Sequence, residues 1–272
     1  MLYNKSGIEN QEVTMGKAIA IFNQKGGVGK TTTNINLAAC LALMQKKVLI
    51  LDIDPQGNTT SGVGISKRKL EVTTHEILIE DNHRPEEAVI PTDIENLDIM
   101  PASVQLAGVE VELIGMTGKE KRLKAAIDVL KPKYDYIFVD CPPSLGTLTI
   151  NALTAVDSVL IPIQCEFYAL EGVSQLMSTI DIVRNNLNPD LEIEGVILSM
   201  FDGRTNLSIQ VVEEVKKYFK EKVYTTVIPR NVRLAEAPSH GMPVVQYDPK
   251  STGAIAYREF AEEFLENERR NR

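Results

Sequence analysis

Residues 23 to 32, Asn-Gln-Lys-Gly-Gly-Val-Gly-Lys-Thr-Thr, have the composition of a phosphate cradle. Gly26, Gly27 and Gly29 let consecutive backbone N–H groups turn inward around an anion, and the helix that follows adds the positive end of its dipole. In such a loop Lys30 reaches the β- and γ-phosphates of a nucleotide, and the Thr31 hydroxyl sits on Mg²⁺. The stretch departs from the common pattern G-x-x-x-x-G-K-[ST] in two ways. Gln24 stands where the first glycine is expected, and a second lysine, Lys25, lies inside the loop.

Three carboxylates have matching positions. Asp52 and Asp54 close the apolar run that starts at Val48, and Asp140 closes the run that starts at Tyr134. An apolar strand ending in Asp downstream of a phosphate loop is the Walker B arrangement, which gives Asp140 the role of holding a water on Mg²⁺. A carboxylate at a strand end facing the γ-phosphate can position a nucleophile, but residue type alone does not choose Asp54 over Asp52.

The elements that must hold these groups follow from periodicity. Lys17–Phe22 reads as a strand, and the segment from Thr33 to Met44 places Ile35, Ala38, Ala39 and Ala42 at helical spacing, so the loop has a strand before it and a helix after it. The run from Val48 is apolar on both faces, as in a central parallel strand whose C-terminal end opens on the ligand side of the sheet. Pro55–Gly62 is a polar turn cluster, expected outside the core as a switch loop that reads the γ-phosphate. Thr73 or Thr74 caps a short helix. Leu97 starts another strand, helices are expected near 104–115 and 118–131, and Lys119, Lys121, Arg122 and Lys124 are expected on a solvated face. Pro142 and Pro143 stop the strand at Asp140 and stiffen the loop beside the phosphates.

Strands near 157–163, 194–201 and 224–228, with helices near 170–187 and 206–221 between them, continue the alternation to the end. Lys216, Lys217, Lys220 and Lys222 read as the outer face of the second of these helices. With no linker, composition break or repeat, the expected architecture is one α/β P-loop domain over 15–272. It has a mostly parallel twisted central sheet with helices on both faces, preceded by a flexible tail over 1–14.

The 272 residues carry 29 Lys and Arg against 37 Asp and Glu, a net charge of −8, which argues against a protein that coats nucleic acid by bulk charge. Any DNA contact must come from a local basic patch. Cys40, Cys141 and Cys165 are widely separated, without a C-x-x-C pair, which points to a reducing, cytoplasmic setting. No apolar stretch is long enough to cross a membrane, and no signal peptide is legible. Tyr257, Phe260, Ala261 and Phe264 make one apolar stripe near the C-terminus, expected to dock on the core.

Four blocks, Lys25–Thr32, Leu51–Asn58, Val139–Ser144 and Ile228–Gly241, together resemble the ParA/Soj chromosome-partitioning ATPases of the deviant Walker A (MinD/ParA) superfamily. The resemblance runs from about residue 16 to about residue 265. It implies an ATPase of weak basal activity that uses ATP and Mg²⁺, with Lys25, Gly26, Gly27, Val28, Gly29, Lys30, Thr31 and Thr32 around the phosphates. Thr31 and, through water, Asp140 would hold the metal, and Pro229 and Asn231 the adenine.

The resemblance further implies an ATP-dependent homodimer in which Lys25 crosses to the partner's nucleotide and Asp54 orients the attacking water. That dimer would bind double-stranded DNA without sequence preference through Arg204 and Arg233, on the nucleoid, and a ParB-type centromere-binding protein would stimulate hydrolysis. Read without the resemblance, Asn231 is a helix cap and the two arginines are solvent-exposed.

Three relatives within the superfamily fit less well. A MinD-like ATPase binds membrane through a C-terminal amphipathic helix, but Glu259, Glu262, Glu263, Glu266 and Glu268 would repel anionic lipid. An iron–sulfur carrier needs grouped cysteines, and a tyrosine-kinase type needs a tyrosine-rich tail, whereas no tyrosine follows Tyr257.

Overall fold

The alternation of apolar residues in each strand divides the core into two halves, one on either side of a single sheet. In a computed structural model that describes residues 15–166 and 169–271, eight strands form this sheet. They are β1 (Lys17–Ile21), β2 (Val48–Asp52), β3 (Ile90–Pro91), β4 (Leu97–Met100), β5 (Tyr136–Asp140), β6 (Ser158–Gln164), β7 (Glu192–Phe201) and β8 (Val223–Pro229). Their order is β3-β4-β2-β5-β1-β6-β7-β8, parallel except for the short β3 at one edge. The expected tail over residues 1–14 lies outside the described residues.

Every residue of β2 and β5 is buried, which accounts for their unbroken apolar runs. Ala18 and Ala20 of β1 and Leu49 and Leu51 of β2 face one side. There they meet α3 (Thr74–Ile79), α4 (Val109–Glu112), α5 (Arg122–Leu130), α6 (Thr147–Ala155), α7 (Ala169–Asn186) and α8 (Asn206–Phe219). Ile19, Ile21, Val48 and Ile50 face the other side, against α1 (Lys30–Leu43), α10 (Val244–Tyr247) and α11 (Thr252–Asn271). The remaining short helices are α2 (Asn58–Gly62) and α9 (Val232–Glu236).

The stripe on α11 is fully spent in packing. Tyr257 is 1% exposed, and Phe260, Ala261 and Phe264 are not exposed at all. Phe260 meets Tyr224 edge-on at 4.8 Å between ring centroids, and Phe264 meets Tyr136 at 5.3 Å. Buried aromatic side chains of this size contribute about 1.5–3 kcal/mol each. Glu263 on the same helix accepts from the N–H groups of Thr225 and Thr226, covering part of the outer edge of β8. Among the described residues no helix is long and apolar enough to cross a membrane.

Two expectations are corrected. Pro55–Gly62 is not simply an exposed turn: it folds into α2, and Thr59 and Thr60 are completely buried. The reason is electrostatic, since their hydroxyls supply hydrogen bonds that the buried strand-end carboxylates require. Arg122, expected on a solvated face, instead reaches the C-terminal end of α3, donating to the carbonyls of Leu78 at 2.8 Å and Glu80 at 3.2 Å and pairing with Asp81. The helix at Thr74 starts as expected, with Thr73 and Glu76 in a reciprocal capping box.

Candidate active site

β1 lies between β5 and β6, so its C-terminal end points the glycine loop at the crevice beside the strand-end aspartates. Gly27 and Gly29 adopt φ values of +76° and +91°, which other residues rarely adopt and which turn the loop around an open cavity of about 410 Å³. Gly26, Gly27, Gly29, Lys30, Thr31 and Thr32 line one side of it, and Asp54, Gln56, Asn58, Pro143 and Met200 line the other. The Val28 side chain is buried, and its carbonyl accepts from the Ser199 hydroxyl at 2.8 Å, tying the loop to β7.

Lys30 donates to the carbonyl of Lys25 at 3.2 Å. Burial lowers its pKa, against the opposing pull of Asp140, Cys141 and Asp54. Lys25 is partly exposed and lies 3.8 Å from a carboxylate oxygen of Glu166. Gln24, at the position of the missing glycine, donates to Thr179 of α7 at 2.6 Å.

The three aspartates are separated by the fold. Register pairing sets Asp52 opposite Asp140, and both carboxylates are fully buried. Burial pushes both pKa values up, with the neighbouring Asp140 charge adding to the effect on Asp52 and the hydroxyls of Thr59 and Thr31 opposing it at Asp140. Asp140 Oδ2 accepts from Thr31 at 2.8 Å and from Thr59 at 2.6 Å. Asp140 Oδ1 is buried without a hydrogen-bond partner. Asp52 accepts from Thr60 and from the backbone of Asp54, away from the cavity, whereas Asp54 lines it.

These groups fit a magnesium ion. An orphaned buried carboxylate oxygen beside a threonine hydroxyl is the oxygen-donor set that a hard cation prefers. Among the described residues no cluster of three or more His, Cys, Asp or Glu forms a complete metal cage. Magnesium rarely uses such cages, binding through one or two carboxylates plus substrate phosphates.

A second cavity of about 190 Å³ adjoins the first, sharing Gly29, Thr32 and Met200. It is lined by Ile228, Pro229, Asn231, Leu234 and Tyr257, among others, and its apolar walls suit a planar base. Asn231 also caps α9, accepting from the Arg233 N–H at 2.9 Å and donating to Thr252 at 2.8 Å. The fold thus brings Lys25, Lys30, Thr31, Asp54, Asp140, Pro229 and Asn231 to one edge of the sheet.

Arg204 and Arg233 line neither cavity. Arg204 is held by Asp202, and Arg233 by Glu236 and Asp248. A larger cavity of about 610 Å³ opens at the opposite edge of the sheet, but there Lys17 is paired with Glu194 and Glu268, and Lys131 with Asp157. Ser199 and Met200 are not singled out by the sequence, Tyr257 reads there only as part of the docked stripe, and Thr59 and Thr60 only as members of a polar turn. Only the threonines carried a signal, a hydroxyl pair shortly after the Asp-Ile-Asp run.

Comparison with known proteins agrees with this geometry. The model of a family described as an AAA domain matches residues 16–193. The chain is 61% identical over 253 residues to the sporulation initiation inhibitor protein Soj of Bacillus subtilis, covering 93% of this chain and 100% of that one. It is 53% identical to the chromosome partitioning protein ParA of Myxococcus xanthus, covering 94% and 90%. A solved structure from Mycobacterium smegmatis, described as cobyrinic acid a,c-diamide synthase with bound ADP and magnesium, superposes with a TM-score of 0.82 at 40% identity, covering 95% and 97%. The phosphate loop, the aspartates at the strand ends and the identity along nearly the whole chain place this protein in the Soj/ParA family of chromosome-partitioning ATPases.

Proposed function

We propose that this ATPase is a nucleotide-gated DNA-partitioning switch. Mg²⁺–ATP binding drives a sandwich dimer that holds duplex DNA without sequence preference, and hydrolysis stimulated by a ParB-type centromere-binding protein releases it. The observation that carries the reading is the pair of adjoining cavities at the C-terminal edge of the sheet, one with a lysine and glycine cradle and one with apolar walls.

In this reading the backbone N–H groups of residues 26 to 31 and the Lys30 ammonium hold the phosphates, and Pro229 and Asn231 hold the adenine. Thr31 and Asp140, the latter through water, hold magnesium, which neutralises charge on the phosphates when bound. Asp54 lines the same cavity as Lys30 and orients the attacking water. Lys25, outside the floor of the cradle and half in solvent, crosses to the nucleotide of the second protomer. Two copies of Arg204 and Arg233 then act together on DNA phosphates, so nucleotide state becomes DNA affinity.

Sedimentation in ADP, in ATP and in a slowly hydrolysed ATP analogue, each with and without duplex DNA, tests the proposal. A dimer and a DNA complex that form only with the triphosphates are expected. Equal DNA affinity with ADP and ATP would overturn it. Against the MinD-like alternative, the apolar stripe on α11 is buried against the sheet.

A further inference from the structure

The residue pair Asp52 and Thr60 lines neither cavity yet is densely hydrogen-bonded. Asp52 Oδ2 accepts from the Thr60 N–H at 2.8 Å and from the Thr60 hydroxyl at 2.7 Å. Asp52 Oδ1 accepts from the Asp54 N–H at 3.2 Å. The same Thr60 hydroxyl accepts from the Ala102 N–H at 3.0 Å, and the Asp52 carbonyl accepts from Thr74 at 3.0 Å. All of these groups are buried.

Residues 53 to 59 leave the sheet at Asp52 and come back beside it at Thr60, within α2, so a single carboxylate ties both ends of the loop that carries Asp54. We infer that Asp52 and Thr60 are positioning residues for hydrolysis: they set the place of Asp54 relative to the phosphate cradle without touching the nucleotide. Within the loop Asp54 is further set by its own turn, with its Oδ1 accepting from the Gln56 N–H at 2.9 Å and its carbonyl from the Gly57 N–H at 2.8 Å. With the ends fixed and the turn closed, the Asp54 backbone has little freedom left. The Ala102 and Thr74 bonds anchor this clamp to the end of β4 and the start of α3, elements that do not reach the cavity. A shift of about 1 Å at an orienting carboxylate can lower a rate by roughly 100-fold, so this clamp has leverage on turnover out of proportion to its distance from the phosphates.

The inference rests on the reading of Asp54 as the group that orients water, and the test separates the two. Thr60→Val removes the hydroxyl at nearly constant volume, and Thr60→Ser restores it. The expected result for Thr60→Val is a fall in kcat of about 10- to 100-fold with ATP affinity unchanged, and recovery in Thr60→Ser. In nucleotide-free protein, amide hydrogen exchange at Asp54, Gln56 and Gly57 should quicken in Thr60→Val. In an Asp54→Ala background, Thr60→Val should change the residual single-turnover rate no further, because the group it positions is gone.

A Thr60→Val effect that persists undiminished in Asp54→Ala, or that lowers ATP affinity as much as kcat, overturns the inference and makes the pair merely structural. If Thr60→Val turns over normally while Asp54→Ala does not, the inference fails and the Asp54 reading stands. If Asp54→Ala itself turns over normally, the Asp54 reading is what fails, and the inference with it. Should Thr60→Val not fold, Asp52→Asn replaces it, since an amide that keeps its oxygen on Thr60 presents N–H to the Asp54 backbone and breaks that bond. The same loss of kcat, cancelled in the Asp54→Ala background, is then expected, and an uncancelled loss overturns the inference.

Discussion

Arg204 and Asp202 form a two-point ion pair, with Arg204 Nε 2.8 Å from Asp202 Oδ1 and an Arg204 terminal nitrogen 2.7 Å from Oδ2. The hydrogen bonds from Arg204 hold Asp202 well down, to about 2, so this carboxylate is charged at any pH at which the protein works. A planar two-point partner is the geometry a DNA phosphate would also use, so if Arg204 contacts DNA as proposed, Asp202 would compete for it. Asp202→Asn should therefore raise DNA affinity of the ATP-bound protein by about 2- to 10-fold at low salt, with the gain shrinking as salt rises. Fluorescence anisotropy with labelled duplexes across a salt series reads this directly. An affinity that falls or stays level would remove Arg204 from the DNA face.

Arg233 is held by Glu236 at 2.7 Å and Asp248 at 3.2 Å, and reversing its charge makes the complementary test. Arg233→Glu should weaken DNA binding and flatten the dependence of log affinity on log salt, by about 0.9 for each DNA phosphate that is no longer neutralised. ATP-dependent dimers should survive the change in analytical ultracentrifugation. A wild-type slope in the mutant would place the patch elsewhere.

The two lysines of the phosphate loop should fail differently. Lys30 is buried and lines the phosphate cavity, whereas Lys25 is partly exposed beside Glu166 and does not line it. Lys30→Ala should weaken ATP binding by about 2–5 kcal/mol, the range for truncating one partner of a buried charge pair. Lys25→Ala should bind ATP as a monomer and fail to dimerise. Isothermal titration and light scattering on the two variants distinguish these outcomes, and normal dimers from Lys25→Ala would refute its role across the interface.

Asp54→Ala should slow hydrolysis by roughly 100-fold or more while the ATP dimer accumulates, since the phosphate cradle is untouched. Phosphate release and sedimentation on the same sample check both halves. A mutant that loses ATP binding instead would mean that Asp54 shapes the cradle rather than the water.

His75 sets a pH dependence far from the nucleotide. Burial lowers its pKa, but hydrogen bonds and charges from Glu76 at 3.0 Å and Glu112 at 3.2 Å outweigh that and raise it above 6.5. Because the folded value lies above the unfolded one, its contribution is complete below about pH 6.5 and is lost as pH rises through the folded value. His75→Gln should remove that component, a difference of at most about 1 kcal/mol between pH 6 and pH 9 in urea unfolding. A wild-type pH profile in the mutant would show that the link between α3 and α4 does not depend on charge.

The parts of this protein that depend on neighbours in the chain were legible from its residues. The glycine loop, the strands that close at Asp52 and Asp140, the capped start of a short helix at Thr73 or Thr74 and the docked stripe of α11 all follow from spacing and periodicity, because a strand, a cap and an amphipathic helix are each defined within a few residues. The tertiary structure decided what depends on partners far apart. Asp52 and Asp54 are the same residue type two positions apart, and only the packing of α2 and the register of β2 against β5 make one a buried clamp and the other part of the cavity wall. Thr59 and Thr60 looked like turn residues until the carboxylates they satisfy were in view, 81 and 8 residues away along the chain. Met200 joins the two cavities from the end of β7, a position that no local pattern marks. The carboxylates that hold Arg204 and Arg233 set how available those charges are, and net composition cannot tell a paired arginine from a free one. Hydrogen bonds and ion pairs between distant segments are made only once the backbone has brought them together, so they leave no periodic trace in the residues that make them.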